Sequence, residues 1–171
     1  HAPKLSSLGI STMISNQSRI SYCLDKLTFF NSWPKSSPIQ PINTALSPDD
    51  LKCDRYVVKE RYGSGANLIG INLTLAEAKD WAKKLENPIF QPYIKGSELS
   101  AETWVDRLGK CHGMLLRWRS KVLDGEAIQS EVFQDSTLEN NLIECVENIP
   151  GIQGHCLTQV KINTEGVPQI I

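Results

Sequence analysis

Apolar residues recur at helical spacing in several stretches of the chain. The longest such stretch, QSRISYCLDKLTFFNSW, predicts one amphipathic helix over 17–33. The sequence SPDD predicts a short helix over 48–53, because proline favours the first helical position. Capping and periodicity predict two further helices, over 74–85 and 135–149.

Runs of β-branched and aromatic residues between turn signals predict strands. The proline-rich segment after residue 33 holds one short edge strand, IQPINTAL. Alternating polarity with turns at 108–110 and 124–125 predicts an antiparallel meander over 97–132. The remaining predicted strands cover 56–59, 68–73, 88–96, 155–162 and 167–171.

The order of these elements excludes one common architecture. The strands are not followed by regular crossover helices, so a doubly wound parallel sheet is not expected. The sequence instead predicts an α+β protein of two lobes, with a C-terminal lobe that is mainly antiparallel sheet. The lobe junction is predicted near 91–96, where Pro92 removes a ladder donor and bends the strand.

Charge and cysteine content exclude several classes of function. The 171 residues carry 18 basic and 19 acidic side chains, a balance without the basic surface that nucleic acids require. No apolar run approaches the roughly 18 residues of a membrane span. The five cysteines form no CxxC pair, and with the three histidines they show no zinc-ligand spacing. We therefore expect reduced thiols, a cytoplasmic location, and neither nucleic acid nor membrane as a partner.

The segment YVVKERYGSGANLIGINL, 56–73, joins two predicted strands through a loop of small residues. Lys59 ends the first strand, and Gly63, Ser64 and Gly65 follow it closely. Glycines let backbone N–H groups approach an anion, and a lysine at a strand end can reach the same phosphate. The alternative is an ordinary hairpin turn, since neither common nucleotide fingerprint matches the spacing.

Other candidate residues lie at polar positions within apolar surroundings. Lys26 follows Asp25 in the middle of the first predicted helix and is either a phosphate ligand or a solvated lysine. Glu98 suits ribose hydroxyls but is equally a surface carboxylate. The bent strand at Gln91, Tyr93 and Ile94 leaves backbone groups that an adenine edge could use, or it is a kinked edge strand.

Three polar side chains of the C-terminal half complete the set. Arg117 and Arg119 lie two residues apart, so in a strand both point to one face. Paired guanidiniums suit polyphosphate or carboxylate recognition, although a charged outer sheet face explains them too. Gln159 lies in the middle of a strand and is either a metal ligand or a polar group of the sheet face.

Five motifs in this order resemble the ATP-grasp superfamily, most closely its carbamoyl-phosphate-synthase-like and carboxylate–amine ligase branch. The resemblance runs from Asp25 to Ile171, so residues 1–23 look like the tail of a preceding domain. It implies a small lobe over 24–94 and a large lobe over 95–171, with a nucleotide cleft between them. The motifs are LDKLTFF, VVKERYGSGANLIG, IFQPYIKGSELS, LLRWRSKVLDGEA and GHCLTQVKINTEGVPQII.

The resemblance implies a role for each candidate residue. Lys26 and Lys59 match the cations that contact ATP phosphates, and Gly63 to Ala66 match the loop that closes over the triphosphate. Gln91, Tyr93 and Ile94 match the strand whose backbone meets adenine, with Pro92 where the family usually has glutamate. Glu98 matches the ribose carboxylate, Arg119 a catalytic arginine facing phosphate or substrate, and Gln159 a magnesium ligand.

The implied activity is an ATP-dependent ligase that forms an acyl phosphate from a carboxylate or bicarbonate and transfers the acyl group to an amine. Its cofactors would be ATP and Mg²⁺ (or Mn²⁺), with a homodimer as a possible assembly. VPQII would lead into the metal-binding ExNPR motif in the family, so we expect this chain alone to bind ATP weakly without turnover. The rival interpretations are a non-catalytic nucleotide-binding module and a plain interaction domain.

Overall fold

The computed structural model of the chain describes residues 2–63, 68–123 and 125–171. These residues form a three-stranded and a six-stranded sheet, each covered by helix on one face. The α-helices are α1 (Ala2–Ser7), α2 (Gln17–Leu24), α3 (Lys26–Ser32), α4 (Leu75–Ala82) and α5 (Ser136–Glu147), and a 3₁₀ turn covers Pro48–Asp50. The predicted α+β class is confirmed.

The helix predicted over 17–33 is broken in two at Asp25. This residue has φ −97° and ψ 93°, and its carboxylate accepts a hydrogen bond from the Thr28 N–H as the N-cap of α3. The Lys26 N–H donates to the Arg61 carbonyl instead of to the preceding helical turn. Lys26 therefore opens α3 rather than lying in the middle of a continuous helix.

The small sheet has the order β3-β2-β4 and is antiparallel throughout. Its strands are β2 (Tyr56–Glu60), β3 (Gly70–Leu73) and β4 (Pro88–Pro92). Side chains alternate between its faces, so Tyr56, Val58 and Phe90 pack against Ala78 of α4. Lys59 is consequently turned to the opposite face.

The large sheet has the order β1-β9-β8-β5-β6-β7, with only β1 and β9 parallel. The predicted meander and closing hairpin are confirmed in it. Its strands are β1 (Gln40–Pro41), β5 (Gly96–Val105), β6 (Cys111–Leu123), β7 (Glu126–Phe133), β8 (Gly154–Asn163) and β9 (Pro168–Ile170).

The main hydrophobic core lies between this sheet and α5. Leu142 of α5 and Leu99 of β5 are both fully buried there. Trp33 and Ile39 belong to the same core, and the Trp33 indole N–H donates to the Ile39 carbonyl at 3.0 Å. The chain thus contributes to the large sheet before it forms the small sheet, and the small sheet is inserted between two parts of the large one.

Gly96 opens β5 at the junction between the sheets, where the chain passes very close to β8. A Cβ at this position would lie 1.9 Å from the Ile162 carbonyl oxygen. Gly96→Ala should therefore lower the free energy of unfolding by about 3 kcal/mol, because the two strands must separate. Urea denaturation followed by circular dichroism measures the change.

Gly113→Ala is the matched control for this prediction. Gly113 also has a positive φ, of 75°, but nothing lies within 4 Å of a Cβ built there. Its substitution should reflect backbone strain alone, at about 1 kcal/mol. Equal losses of stability in the two variants would contradict the argument from close approach.

Candidate functional site

Lys59 is a largely buried cation on the face of the small sheet that points away from α4. It lies opposite Ile89 of β4, and only 7% of the residue is exposed. Among the described residues the Lys59 ammonium group forms no hydrogen bond or ion pair, although its nitrogen is not one of the fully enclosed polar atoms that lack a partner. The pKa of Lys59 is lowered to about 8, mainly by burial and in part by the Lys26 charge, while Glu98 acts in the opposite direction. Such a group calls for an anion from outside these residues.

Lys26 extends its ammonium group to the start of the loop of small residues. Nζ donates to the Gly63 carbonyl at 2.8 Å and, more weakly, to the Arg61 carbonyl at 3.4 Å. Burial lowers the pKa of Lys26, while Glu60 and Asp25 partly restore it. Three of the predicted loop residues, Ser64, Gly65 and Ala66, lie outside the described residues.

An ion pair between Asp25 and Arg61 joins α3 to this part of the small lobe. Arg61 Nε lies 2.7 Å from Asp25 Oδ1, and Nη2 lies 2.7 Å from Oδ2. The guanidinium holds the pKa of Asp25 well below its usual range. Sequence analysis missed this pair, because residues so far apart in the chain give no local signal of contact. The sequence offered one indication of this pair: Asp25 directly precedes the candidate Lys26, and Arg61 comes two residues after the candidate Lys59.

The large sheet presents a polar face made by alternate residues of β5, β6 and β8. Arg119 Nε lies 2.8 Å from Glu98 Oε1, and Lys161 Nζ lies 4.0 Å from Glu98 Oε2. Arg119 also donates to the Gly125 carbonyl at 2.6 Å and to Ser100 Oγ at 3.3 Å. Its side chain is only 6% exposed, so protein groups occupy much of the guanidinium. Its predicted catalytic role stays a prediction.

Arg117 shares this face but has a different partner. Its guanidinium binds Glu102, and His155 Nε2 lies 3.5 Å from the second oxygen of the same carboxylate. The strand register explains why the two arginines have different partners. Arg117 lies opposite Ser100 of β5, which stands between Glu98 and Glu102 on the same face of the sheet. The two neighbouring arginines therefore bind two different glutamates.

The strand that leads from the small sheet to the large one has both occupied and free backbone groups. The Gln91 side chain is buried and donates to Thr44 Oγ1 at 2.8 Å. The Tyr93 N–H donates to the Arg55 carbonyl at 2.8 Å. Ile94 lies outside the strands, and its N–H has no acceptor among the residues that the structure describes. Ile94 is thus the position of the three that leaves a donor for a ligand.

A cavity of about 170 Å³ lies beside this strand. Its polar wall contains Lys26, Gln91 and Gln159, so three of the residues predicted from the sequence border one space. Much of the remaining wall is apolar and comes from residues such as Phe29 and Ile42.

The predicted magnesium site is not formed by the described residues on their own. Gln159 offers a neutral amide oxygen, whereas Mg²⁺ is usually bound by one or more carboxylates together with phosphate oxygens. Glu98 is held by Arg119 and lies near Lys161 on the same face. Over 2–63, 68–123 and 125–171, no group of three or more His, Cys, Asp or Glu side chains is arranged to hold a metal. We therefore derive no chemical step through a metal ion.

The sequence of the chain matches a family model described as an ATP-grasp domain, over residues 23–165. The chain belongs to the ATP-grasp family. The resemblance drawn from its motifs is thereby confirmed at the level of the family. A search of curated proteins gives no significant match to the chain.

Solved structures share the ATP-grasp fold of this chain at low sequence identity. A biotin carboxylase from Campylobacter jejuni, crystallised as a β,γ-ATP complex, superposes with a TM-score of 0.79 at 11% identity, and the match covers 99% of this chain and 44% of the carboxylase. An L-amino acid ligase from Bacillus licheniformis gives 0.72 at 15% identity, with coverages of 99% and 44%. A D-alanine–D-alanine ligase from Bacillus anthracis, complexed with ATP, gives 0.69 at 17%, with 99% and 60%. The chain spans less than two thirds of each.

Within the described ranges, no helix has both the length and the apolar character that crossing a bilayer requires.

The burial of Lys59 predicts a pH-dependent gain in stability when its charge is removed. The folded chain loses the Lys59 proton near pH 8, whereas the unfolded chain keeps it up to its ordinary pKa of 10.5. Unfolding therefore takes up a proton between these values, and wild-type stability rises with pH across this window. Lys59→Met should be more stable than wild type by about 3 kcal/mol below pH 8, and the difference should shrink as pH rises further.

Urea denaturation at a series of pH values from 6 to 9.5 measures this difference. Lys83→Met is the control, because the Lys83 side chain is 75% exposed and pairs only with Asp80 on the same helical turn. A difference between wild type and Lys59→Met that does not change with pH would contradict the prediction.

Proposed function

We propose that this ATP-grasp chain binds ATP between its two sheets, with the triphosphate at Lys59. One observation carries the proposal: the largely buried Lys59 side chain forms no hydrogen bond or ion pair with the described residues, although a second lysine lies close enough to lower its pKa. Two cations that repel each other in a desolvated site are stabilised together by a polyanion. A triphosphate supplies that charge and several strong acceptors.

The proposed position of the nucleoside follows from groups on either side of Lys59. The free N–H of Ile94 offers a donor to an adenine edge, while the Tyr93 N–H is already used by Arg55. Glu98 would bind the ribose through the lone pairs that Arg119 and Lys161 leave free. The polar face of the large sheet would then form one wall of the cleft. The face of the small sheet that carries Lys59 would form the other wall.

The proposed reaction is the joining of a carboxylate to an amine through an acyl phosphate. A carboxylate oxygen bonds to the γ-phosphorus of ATP, the bond to the β-phosphate oxygen breaks, and ADP leaves. The amine nitrogen then bonds to the acyl carbon, phosphate leaves with the electron pair, and the amine releases a proton to solvent. Lys26 and Lys59 would hold the phosphates in line and offset their charge, and Arg119 would orient the transferred group. These steps are proposed for the whole protein.

Magnesium (or manganese) belongs to this proposal as the ion that accompanies ATP. Among the described residues Gln159 is the one that would contribute a ligand, alongside phosphate oxygens. We assign it no step.

We also propose the division of the chain that the family resemblance implies, with boundaries at 1–23, 24–94 and 95–171. A cytoplasmic location and a homodimer belong to the same proposal. The five cysteines are unpaired, in keeping with reduced thiols. The position of Trp33 and Ile39 in the core of the large sheet adds one feature to this division, since the linker before the small sheet packs on the large lobe.

The 171-residue chain should bind ATP, and Lys59→Met should bind it at least about tenfold more weakly, because a charge-assisted contact to phosphate is lost. Isothermal titration calorimetry with ATP in magnesium buffer measures both affinities. Lys83→Met, which removes an exposed lysine, should bind as the wild type does. A wild-type chain that gives no heat with ATP would contradict the proposal and favour an interaction domain.

A second measurement separates a ligase from a non-catalytic nucleotide-binding module. In the whole protein, Gln159→Ala should abolish ADP release while ATP still binds. Unchanged affinity and unchanged ADP release in that variant would contradict the role of Gln159.

A further inference from the structure

The junction of α2 and α3 is fastened to the stem of the loop of small residues by several independent contacts. This stem, Arg61 to Gly63, directly follows β2. The Lys26 N–H donates to the Arg61 carbonyl at 3.1 Å, and the Gly63 N–H donates to the Leu24 carbonyl at 3.1 Å. The Lys26 ammonium closes the same connection at the Gly63 carbonyl, 2.8 Å away.

The ion pair of Asp25 and Arg61 lies at the centre of these contacts. Both oxygens of the carboxylate meet the guanidinium at 2.7 Å, the two-point geometry that fixes direction as well as distance. The same carboxylate accepts hydrogen bonds from the Thr28 N–H at 3.1 Å and from the Thr28 hydroxyl at 2.8 Å. The side chains are 24% and 16% exposed for Arg61 and Asp25, so solvent competes only in part.

The position of this pair in the chain links it to both proposed phosphate ligands. Asp25 is the residue before Lys26, and Arg61 is two residues after Lys59. Lys59 is held in β2 by its pairing with Ile89 of β4, and Arg61 lies just beyond the end of that strand. The contacts of Asp25 and Arg61 therefore tie the residue next to Lys26 to the segment that bears Lys59.

We infer that Asp25 and Arg61 are positioning residues for the phosphates of the nucleotide. They hold Lys26 at the stem and set its distance from Lys59, without contacting the nucleotide themselves. The inference rests on the proposed function, because it needs a phosphate chain at these two lysines. It adds that the pair controls affinity for the phosphate chain and leaves affinity for the nucleoside part unaffected.

Asp25→Asn separates this role from a role in helix capping. Asparagine caps helices as well as aspartate does, so the N-cap of α3 is kept while the ion pair is lost. The control is Asp135→Asn, because Asp135 caps α5 in the same way, by accepting from the Leu138 N–H. Arg61→Lys is the second variant, since it keeps the charge but cannot form the two-point contact.

Calorimetric titration of the 171-residue chain with ATP and with AMP, in magnesium buffer, tests the inference. Asp25→Asn should bind ATP about tenfold more weakly than wild type and AMP with an affinity within about twofold. Arg61→Lys should show the same selective loss, which keeps the test decisive if Asp25→Asn fails to fold. Asp135→Asn should leave both affinities unchanged. Thermal unfolding of each variant verifies that it is folded.

Three outcomes would overturn the inference. An Asp25→Asn variant with wild-type affinity for ATP would show that the pair does not position the phosphate ligands. Equal losses for ATP and AMP would show that it only maintains the fold of the cleft. A wild-type chain that binds neither nucleotide would overturn the proposed function as well, so the failure of the two ideas can be told apart.

Discussion

A largely buried lysine side chain that forms no hydrogen bond or ion pair with the described residues is the constraint on which the proposed site depends. A desolvated charge is unfavourable in the folded state, and the lowered pKa of Lys59 records that cost. A second lysine nearby makes the arrangement less stable still. Natural proteins keep such features where function requires them, since binding a ligand of opposite charge recovers the free energy. The small sheet therefore presents a positive charge that an anionic ligand could bind.

The surrounding charges of the large sheet form ion pairs, although Nε of Arg117 and Nε of Arg119 are buried without a well-aligned hydrogen bond. Arg119 and Glu98 are bound to each other on the large sheet, and Arg117 is bound to Glu102. Paired charges of this kind give the sheet face a fixed geometry but add little net field. Lys59 differs from all of them, since its charge is left uncompensated by the described residues. This contrast supports a cleft in which the ion-paired face of the large sheet forms a wall of fixed geometry and Lys59 of the small sheet provides the positive charge.

The sequence was informative where the pattern is local. Periodicity and turn residues predicted the meander, α4 and α5, because each depends on neighbours in the chain. The break at Asp25 could not be predicted in this way, since a partner far along the sequence, Arg61, holds the residue in an extended conformation. The use of the Gln91 side chain by Thr44 was hidden for the same reason. Motif order identified Lys59 as a candidate, but its burial and the nearby charges of Lys26 and Glu98 arise from distant parts of the chain.

The parallel pairing of β1 with β9 has a consequence for how the molecule reaches this structure. Gln40 and Pro41 can find their partners only after the much later residues Gln169 and Ile170 have been synthesised. The small sheet, by contrast, is assembled from a continuous segment with nearby partners. Contacts between distant segments form slowly, so the inserted unit should acquire order first and the enclosing sheet should complete its edge last. On this kinetic view, the folding chain passes through an intermediate in which β9 has an unpaired edge, and unpaired strand edges are prone to aggregation.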